Sequence, residues 1–168
     1  MSNLETLELK VSNANALGLD KKKSKELSKK LNTLLASYSV FYQNVRGYHW
    51  NLKGEEFFQL HVKFEELYGS LYLKIDEIAE RVLTLGYPAN HNFSDYAAQS
   101  KIKESPCISD GQKAAENILD SLQIILSQQR EILSLSNEMN DEGTYSLISE
   151  NIRTQEKMIW MYSSYLER

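Results

Sequence analysis

The sequence predicts an all-α protein, a bundle of four long helices with one long connection between the second and the third. Its 168 residues are enough for one well-buried core and too few for two ordinary domains. Only 7 glycines and 2 prolines punctuate the chain, which favours long helices over strands and turns. Four segments carry apolar residues at alternating steps of three and four, the period of a half-buried helix.

The first helix is predicted to start after Asp20 and to end near Gly54. Residues 1–20 lack helical periodicity, and their serine, asparagine and glycine content predicts a mobile N-terminal arm before a domain of residues 21–168. The apolar side of this helix is formed by Leu27, Leu31, Leu34, Tyr38, Phe41, Val45 and Tyr48.

The second helix is predicted from about residue 56 to residue 85, and the Gly-Tyr-Pro sequence of 86–88 ends it. The connection over 89–106 is long enough for a crossover, and a short helix is expected over 93–100. The apolar positions of the second helix are Phe57, Leu60, Phe64, Leu67, Leu71, Ile75, Ile78 and Val82.

Two further helices complete the bundle. Ser109 and Asp110 can cap the third, a break is expected over 140–143, and the fourth should run from about Thr144 almost to residue 168. The positions of their inward stripes are Ala115, Ile118, Leu122, Ile125, Gln129, Ile132 and Leu135 on the third helix, and Leu147, Ile148, Ile152, Met158, Ile159, Tyr162, Tyr165 and Leu166 on the fourth.

Charge and cysteine content restrict the function. The formal net charge is −4, so a shell of many subunits would attract cations rather than polyanions. The lone Cys107 excludes an intrachain disulfide and a thiolate zinc cluster, and it fits a reducing cytosol. Residues 1–10 have no apolar signal-peptide region, and no segment reaches transmembrane length. We therefore expect a cytoplasmic protein without a membrane partner.

A polar stripe on the second helix carries the chemistry. Its members follow one another at steps of three and four, so they share one face: His61, Glu65, Tyr68, Tyr72, Asp76 and Glu80. Imidazole together with several carboxylates suits iron(II) or a similar divalent ion. The stripe therefore predicts metal ligands at both of its ends.

One helix cannot bring both ends of the stripe to a single ion. His61 and Asp76 lie roughly 22 Å apart along an α-helix, whereas ligands lie about 2 Å from a metal, so another helix or another subunit must help. A two-fold axis near residues 68–72 would place the His61 end of one chain against the Asp76 end of its partner. His49, at the end of the first helix, would add a second histidine.

Each residue also has an ordinary interpretation. A histidine at a helix end, such as His49, is more often packed or capping than a metal ligand. Asp76 or Glu77 could form helix ion pairs with Arg81, and the two tyrosines could simply pack at an interface. His91 lies in the long connection without nearby carboxylates and is expected to be a surface histidine. The metal hypothesis therefore depends on the set as a whole.

The same region resembles a known family. The segments YHWNLKG at 48–54, FFQLH at 57–61, FEELY at 64–68 and DEIAER at 76–81 are similar to the signature of the Dps family, the DNA-binding proteins of starved cells. The resemblance implies a ferritin-like four-helix bundle with a short helix in the crossover. It also implies twelve subunits in a hollow tetrahedral shell, with an iron-oxidising site between two-fold-related subunits.

The resemblance also implies a ligand set. His49, His61 and the acidic residue at 65 come from one subunit, while Asp76 and Glu80 come from the other. The family often has aspartate where this chain has Glu65, so the second, weaker iron position is expected to be displaced. The implied activity is that of a ferroxidase, which oxidises iron(II) with hydrogen peroxide or dioxygen, stores ferric mineral and protects the cell from oxidative damage.

Three aromatic residues accompany this site in the sequence. The rings of Trp50, Trp160 and Tyr162 could intercept stray oxidising equivalents, although packing is the expected role for all three. An intrachain di-iron site of the ferritin type is improbable, because such sites use Glu-x-x-His pairs. Here Phe58 precedes His61 by three residues.

DNA binding is the competing function. Phosphate neutralisation needs lysines and arginines, and the first 20 residues offer only Lys10 against three acidic residues. A basic patch at the start of the first helix is the remaining argument: Lys21, Lys22, Lys23, Lys29 and Lys30. The turn before the fourth helix supplies candidates for an acidic iron entry, Glu138, Asp141 and Glu142, although a solvated turn is their ordinary interpretation.

Overall fold

The computed structural model describes residues 13–168, which form five helices and no β-strand. Their order matches the predicted bundle with a short helix in the crossover, so the all-α, ferritin-like fold class is confirmed. The helices are α1 (Lys21–Asn51), α2 (Phe57–Thr84), α3 (Phe93–Gln99), α4 (Gly111–Glu138) and α5 (Glu142–Tyr165).

Aspartate side chains start three of the long helices. Asp20, Asp110 and Asp141 each accept a hydrogen bond from the backbone N–H three residues later, at 2.8, 2.6 and 3.0 Å. Such caps satisfy N–H groups that have no partner within the helix. Because Asp141 acts as a cap, α5 begins at Glu142, earlier than the predicted start near Thr144, and the break before it is correspondingly short.

The apolar stripes meet in one core. α1 packs against α2 and α4, α5 packs against α4, and α3 lies against α1. The largest fully buried side chains come from all of the long helices except α5: Tyr38, Phe41, Phe64, Leu71, Ile78, Ile118 and Leu122. No helix in the described part of the chain is both long and apolar enough to cross a membrane.

A neutral polar network lies inside the bundle. The Tyr38 hydroxyl donates to Gln155 Oε1 at 3.1 Å and accepts from Gln129 Nε2 at 2.8 Å. Gln155 Nε2 donates to the carbonyl of Leu122 at 2.6 Å. Burial raises the pKa of the Tyr38 phenol, which therefore stays protonated. The network links α1, α4 and α5 without introducing a charge into the core.

Residues 13–20 form a turn attached to α1 and α2. The Asn15 amide nitrogen donates to the Ser24 hydroxyl and to the carbonyl of Leu85, both at 3.2 Å, and its oxygen accepts from two backbone N–H groups of the turn. The remainder of the predicted N-terminal arm, residues 1–12, lies outside the described residues.

Arg81 joins the end of α2 to the α4–α5 turn. Its guanidinium donates to Asp141 Oδ1 at 2.5 Å and to the Thr144 hydroxyl at 2.8 Å, and the Asp141 side chain is only 3% exposed. The proposed helix ion pairs of Arg81 with Asp76 or Glu77 are therefore wrong. Asp141 is also neither a solvated turn residue nor a free carboxylate for an iron entry, because Arg81 covers it.

We expect Asp141→Asn to lower the free energy of unfolding by about 2 kcal/mol at neutral pH, because it removes a buried, charge-assisted hydrogen bond. Burial alone would raise the pKa of Asp141, but hydrogen bonds from Thr144 and Arg81 outweigh it and hold that pKa below its ordinary value. Its stabilisation is present above the ordinary pKa of an unfolded aspartate and is lost as the pH falls through the lowered pKa. Urea unfolding at several pH values measures both effects; equal stability of variant and wild type would contradict the assignment.

Candidate metal centre

Two histidines meet where α1 ends and α2 begins. A short turn joins the helices, and Gly54 within it has a φ of 111°, which favours glycine. The turn folds the chain back so that the rings of His49 and His61 stack, with centroids 3.8 Å apart and planes 19° from parallel. His49 is buried and His61 is half-buried. The predicted approach of the two histidines is therefore present within one chain.

A reciprocal pair of hydrogen bonds fixes both imidazoles. His49 Nδ1 lies 2.8 Å from the backbone carbonyl of His61, and His61 Nδ1 lies 3.0 Å from the carbonyl of His49. A carbonyl oxygen only accepts, so each Nδ1 must carry the proton. In the neutral rings each Nε2 then keeps a lone pair, which is the form that binds metals, and the carbonyl partner fixes the tautomer.

Aromatic neighbours hold the two rings in place. Phe57 stacks on His61 with centroids 5.0 Å apart, and Tyr68 packs its edge against His49 at 5.3 Å. The first contact follows from helix spacing, because Phe57 precedes His61 by four residues on α2, whereas the second joins α2 to α1. The imidazoles therefore cannot rotate freely away from their common orientation.

Glu65 lies one turn after His61 on α2 and is exposed. The Tyr68 hydroxyl donates to its carboxylate at 3.4 Å. Burial, together with the negative charge of Glu65 and this hydrogen bond, raises the pKa of Tyr68, so the phenol remains a donor at neutral pH. Glu65 thus lies one helical turn from His61, but within the described chain it does not join the two histidines in a group of three that could hold a metal ion.

The other two predicted ligands lie far from the histidines. Asp76 and Glu80 are exposed on the same helix, and neither forms a hydrogen bond or ion pair with any residue of 13–168. Within that range no three His, Cys, Asp or Glu side chains come together to hold a metal ion. One chain therefore presents a histidine half-site at one end of α2 and a carboxylate half-site at the other.

A cation–π cluster beside the histidines was not predicted. The Arg46 guanidinium lies 4.5 Å from the Trp50 ring centroid and 5.2 Å from that of Tyr42. The spacing of four residues on either side of Arg46 was the available signal. Trp50 is 57% exposed and Trp160 is 66% exposed, whereas Tyr162 packs against the hydrophobic core. The expected packing role is therefore seen within the chain for Tyr162 and stays a prediction for the two tryptophans.

The remaining candidates lie on the surface. His91 is exposed, as predicted, and Cys107 is an exposed free thiol. Part of the basic patch on α1 is already engaged, because Lys30 pairs with Glu131 at 2.8 Å and Lys23 donates to the carbonyl of Glu138 at 3.4 Å. These contacts weaken the argument for DNA binding.

Comparison with known proteins agrees with this architecture. A family model described as a ferritin-like domain matches residues 28–168. The DNA protection during starvation protein of Porphyromonas gingivalis is 40% identical over 88% of this chain and 93% of its own length. The crystal structure of the Dps protein of Vibrio cholerae, titled a member of the ferritin-like diiron-carboxylate superfamily, is 51% identical, with a TM-score of 0.90 over 92% of this chain and 97% of that one.

A more distant structure repeats the same arrangement. Dps from Staphylococcus aureus is 30% identical and has a TM-score of 0.82 over 84% of this chain and 95% of its own. The family model's match, residues 28–168, includes the turn that joins the two histidines. The chain belongs to the Dps family of ferritin-like proteins.

Proposed function

We propose that the protein oxidises iron(II), with hydrogen peroxide or dioxygen as oxidant, at sites shared by two subunits, and that it stores the ferric product inside a hollow dodecamer. One observation carries the proposal. His49 and His61 direct their Nδ1 atoms at backbone carbonyls, so both Nε2 atoms are available. At the far end of α2, the carboxylates of Asp76 and Glu80 are exposed and have no partner among residues 13–168.

The donor set matches iron(II). His49, His61 and Glu65 would bind from one subunit, and Asp76 and Glu80 from its partner. Two imidazoles with carboxylates suit a divalent iron ion, whereas calcium and magnesium prefer oxygen ligands alone. Glu65 is a longer side chain than aspartate and also accepts a hydrogen bond from Tyr68, so it is suited to a second, more weakly held ion.

The proposed reaction transfers two electrons from two iron(II) ions to one molecule of hydrogen peroxide. Each of two iron(II) ions gives up one electron, and hydrogen peroxide takes both electrons with two protons to form two molecules of water. Because both electrons go to one peroxide molecule, no hydroxyl radical is released. The reaction would therefore protect the cell from oxidative damage. The hydrogen bonds from Nδ1 to the backbone carbonyls hold both rings in one orientation, so the two ligands would keep the same geometry before and after the charge of the iron changes.

The first prediction concerns assembly. The protein should purify as a particle about twelve times heavier than its 19.4 kDa chain, because each complete site needs two subunits and the family resemblance implies twelve. Multi-angle light scattering measures the mass directly. A monomer at micromolar concentration would contradict the shared site and the shell together.

The second prediction concerns single ligands. His61→Ala and Asp76→Ala should each slow iron(II) oxidation by about tenfold or more, since both remove a group that holds the substrate ion. Helix content should remain, because neither side chain is in the core. His91→Ala is the matched control, an exposed histidine outside the site, and should oxidise iron at the wild-type rate. A wild-type rate in either ligand variant would show that the polar stripe is only an interface.

The third prediction tests sharing between chains. One variant lacks His49 and His61, and the other lacks Asp76 and Glu80; each alone should be nearly inactive. In a mixed two-fold dimer, one site receives both histidines and both carboxylates, and the other site receives neither pair. Random equal mixing makes half of the dimers mixed, so roughly a quarter of wild-type sites should return.

The two variants must be unfolded and reassembled together, because finished shells need not exchange subunits. Different affinity tags on the two chains then establish that mixed particles have formed. Recovery of oxidation in these particles supports ligands from two chains, whereas co-assembly without any recovery would contradict the shared site.

A further inference from the structure

A basic pocket lies between α1, α4 and the segment that follows α3. Its volume is about 580 Å³, and its wall carries three lysines, Lys29 and Lys30 from α1 and Lys101 from the crossover. Among the described residues the lining contains one acid, Glu131 of α4. Three positive charges against one negative leave a net charge of +2. The pocket is therefore an anion-attracting place on a chain whose own net charge is −4.

Hydrogen bonds and core packing hold the pocket wall together. Lys30 pairs with Glu131 at 2.8 Å, which joins α1 to α4. The backbone N–H of Lys101 donates to the Ser37 hydroxyl oxygen of α1 at 3.0 Å, and the next residue, Ile102, is buried in the core. The backbone of Lys101 is therefore fixed against α1, and only its side chain must become ordered when a ligand binds.

Two of the three lysines are available to a ligand. The hydrogen bond and the charge of Lys30, with a smaller contribution from the charge of Lys101, lower the pKa of Glu131. Glu131 is therefore ionised at neutral pH and neutralises Lys30. The ammonium groups of Lys29 and Lys101 are exposed and form no hydrogen bond or short ion pair with any residue of 13–168.

A glutamine of α4 adds an uncharged donor to the pocket. Gln128 lines the wall, and its side-chain oxygen is shielded from water without a hydrogen-bond partner among residues 13–168. A shielded acceptor without a partner is unfavourable. The amide nitrogen is not shielded in this way, and its N–H groups have no acceptor in the described chain. An oxygen of a bound anion would supply that acceptor.

We propose that this pocket binds a dianionic phosphate group, either of a small phosphate monoester or of inorganic phosphate, with Lys29, Lys101 and Gln128 as donors. A phosphate monoester carries about 1.5 to 2 negative charges at pH 7, which the net charge of the pocket balances. Lysine binds phosphate as a point charge. Ile124, which is 37% exposed, and Ile132 line the same pocket and would contact the organic part of a monoester.

The charge of the pocket distinguishes this ligand from DNA. A phosphodiester of DNA carries a single negative charge and two organic substituents, so fewer of its oxygens can reach donors within a pocket. The net charge of the chain also repels a long polyanion more strongly than a small dianion. The pocket does not contain the histidines or carboxylates of the proposed iron site, so the two proposals stand or fall separately.

Isothermal titration calorimetry on the full-length protein, prepared without added iron, tests the site. Sodium phosphate and adenosine monophosphate are separate probes at constant ionic strength. Lys101→Gln and Lys29→Gln should each raise the dissociation constant by about tenfold, because each removes a charged donor. Gln128→Leu should raise it by a smaller factor. Lys103→Gln is the matched control, because it removes the same charge from the same segment at an exposed position outside the pocket, and it should bind as the wild type does.

The outcomes separate the possible ligands. Tighter binding of adenosine monophosphate than of phosphate supports the site and identifies a monoester; the opposite order supports the site and identifies inorganic phosphate. Equal weakening by Lys101→Gln and Lys103→Gln would overturn the proposal, because general charge attraction would then explain the binding. Absence of binding to both probes at millimolar concentration would also overturn it, as would binding of a short DNA duplex alone. Circular dichroism establishes that the variants are folded.

Discussion

The rigidity of α2 constrains every part of the proposed site. An α-helix holds His61 and Asp76 roughly 22 Å apart, and no bend in this helix brings them together, because its other face is buried in the core through Phe64, Leu71 and Ile78. The two half-sites of one chain can therefore never serve the same ion. In the proposed site a complete ligand set therefore requires a second molecule, which would lie along the outward face of α2.

Much of this arrangement could be predicted because it follows from periodicity. The apolar stripes place the buried residues of the long helices, and the polar stripe places His61, Glu65, Asp76 and Glu80 on one side of α2. The aspartate caps also follow local rules, and only the start of α5 shifted. Its cap, Asp141, combines a helix start with an ion pair to Arg81, and sequence spacing favoured nearer acidic partners for that arginine.

The reciprocal hydrogen bonds of His49 and His61 could not be predicted in the same way. Each Nδ1 donates a hydrogen bond to a backbone carbonyl of the other helix. The contact therefore depends on how tightly the turn at Gly54 folds, and the residue types in the turn do not specify this. The same limit applies to Trp50. A large aromatic residue at a helix end suggests burial, but here the ring projects outward and packs against Arg46, because the inward side of α1 is already filled.

The interior of the bundle explains why the chemistry lies outside it. Ferritin-type di-iron sites place glutamates from facing helices inside the core. Here a tyrosine and two glutamines lie at that depth, and their hydrogen bonds join α1, α4 and α5 through neutral groups. A bare carboxylate added to this network would be buried without a counter-charge, at a cost of several kcal/mol. The core therefore favours stability of the subunit, in agreement with a proposed metal site at the surface.

The outward face of α2 shows the opposite preference. Its exposed apolar side chains and its carboxylates without partners in the described chain are unfavourable or neutral for a subunit in isolation. In the proposed assembly they become favourable, because a second copy would cover the apolar groups and bring the carboxylates to the histidines. Folding and the proposed assembly would thus draw on opposite faces of one helix, so a substitution on the outward face should impair the shared site and leave the subunit folded.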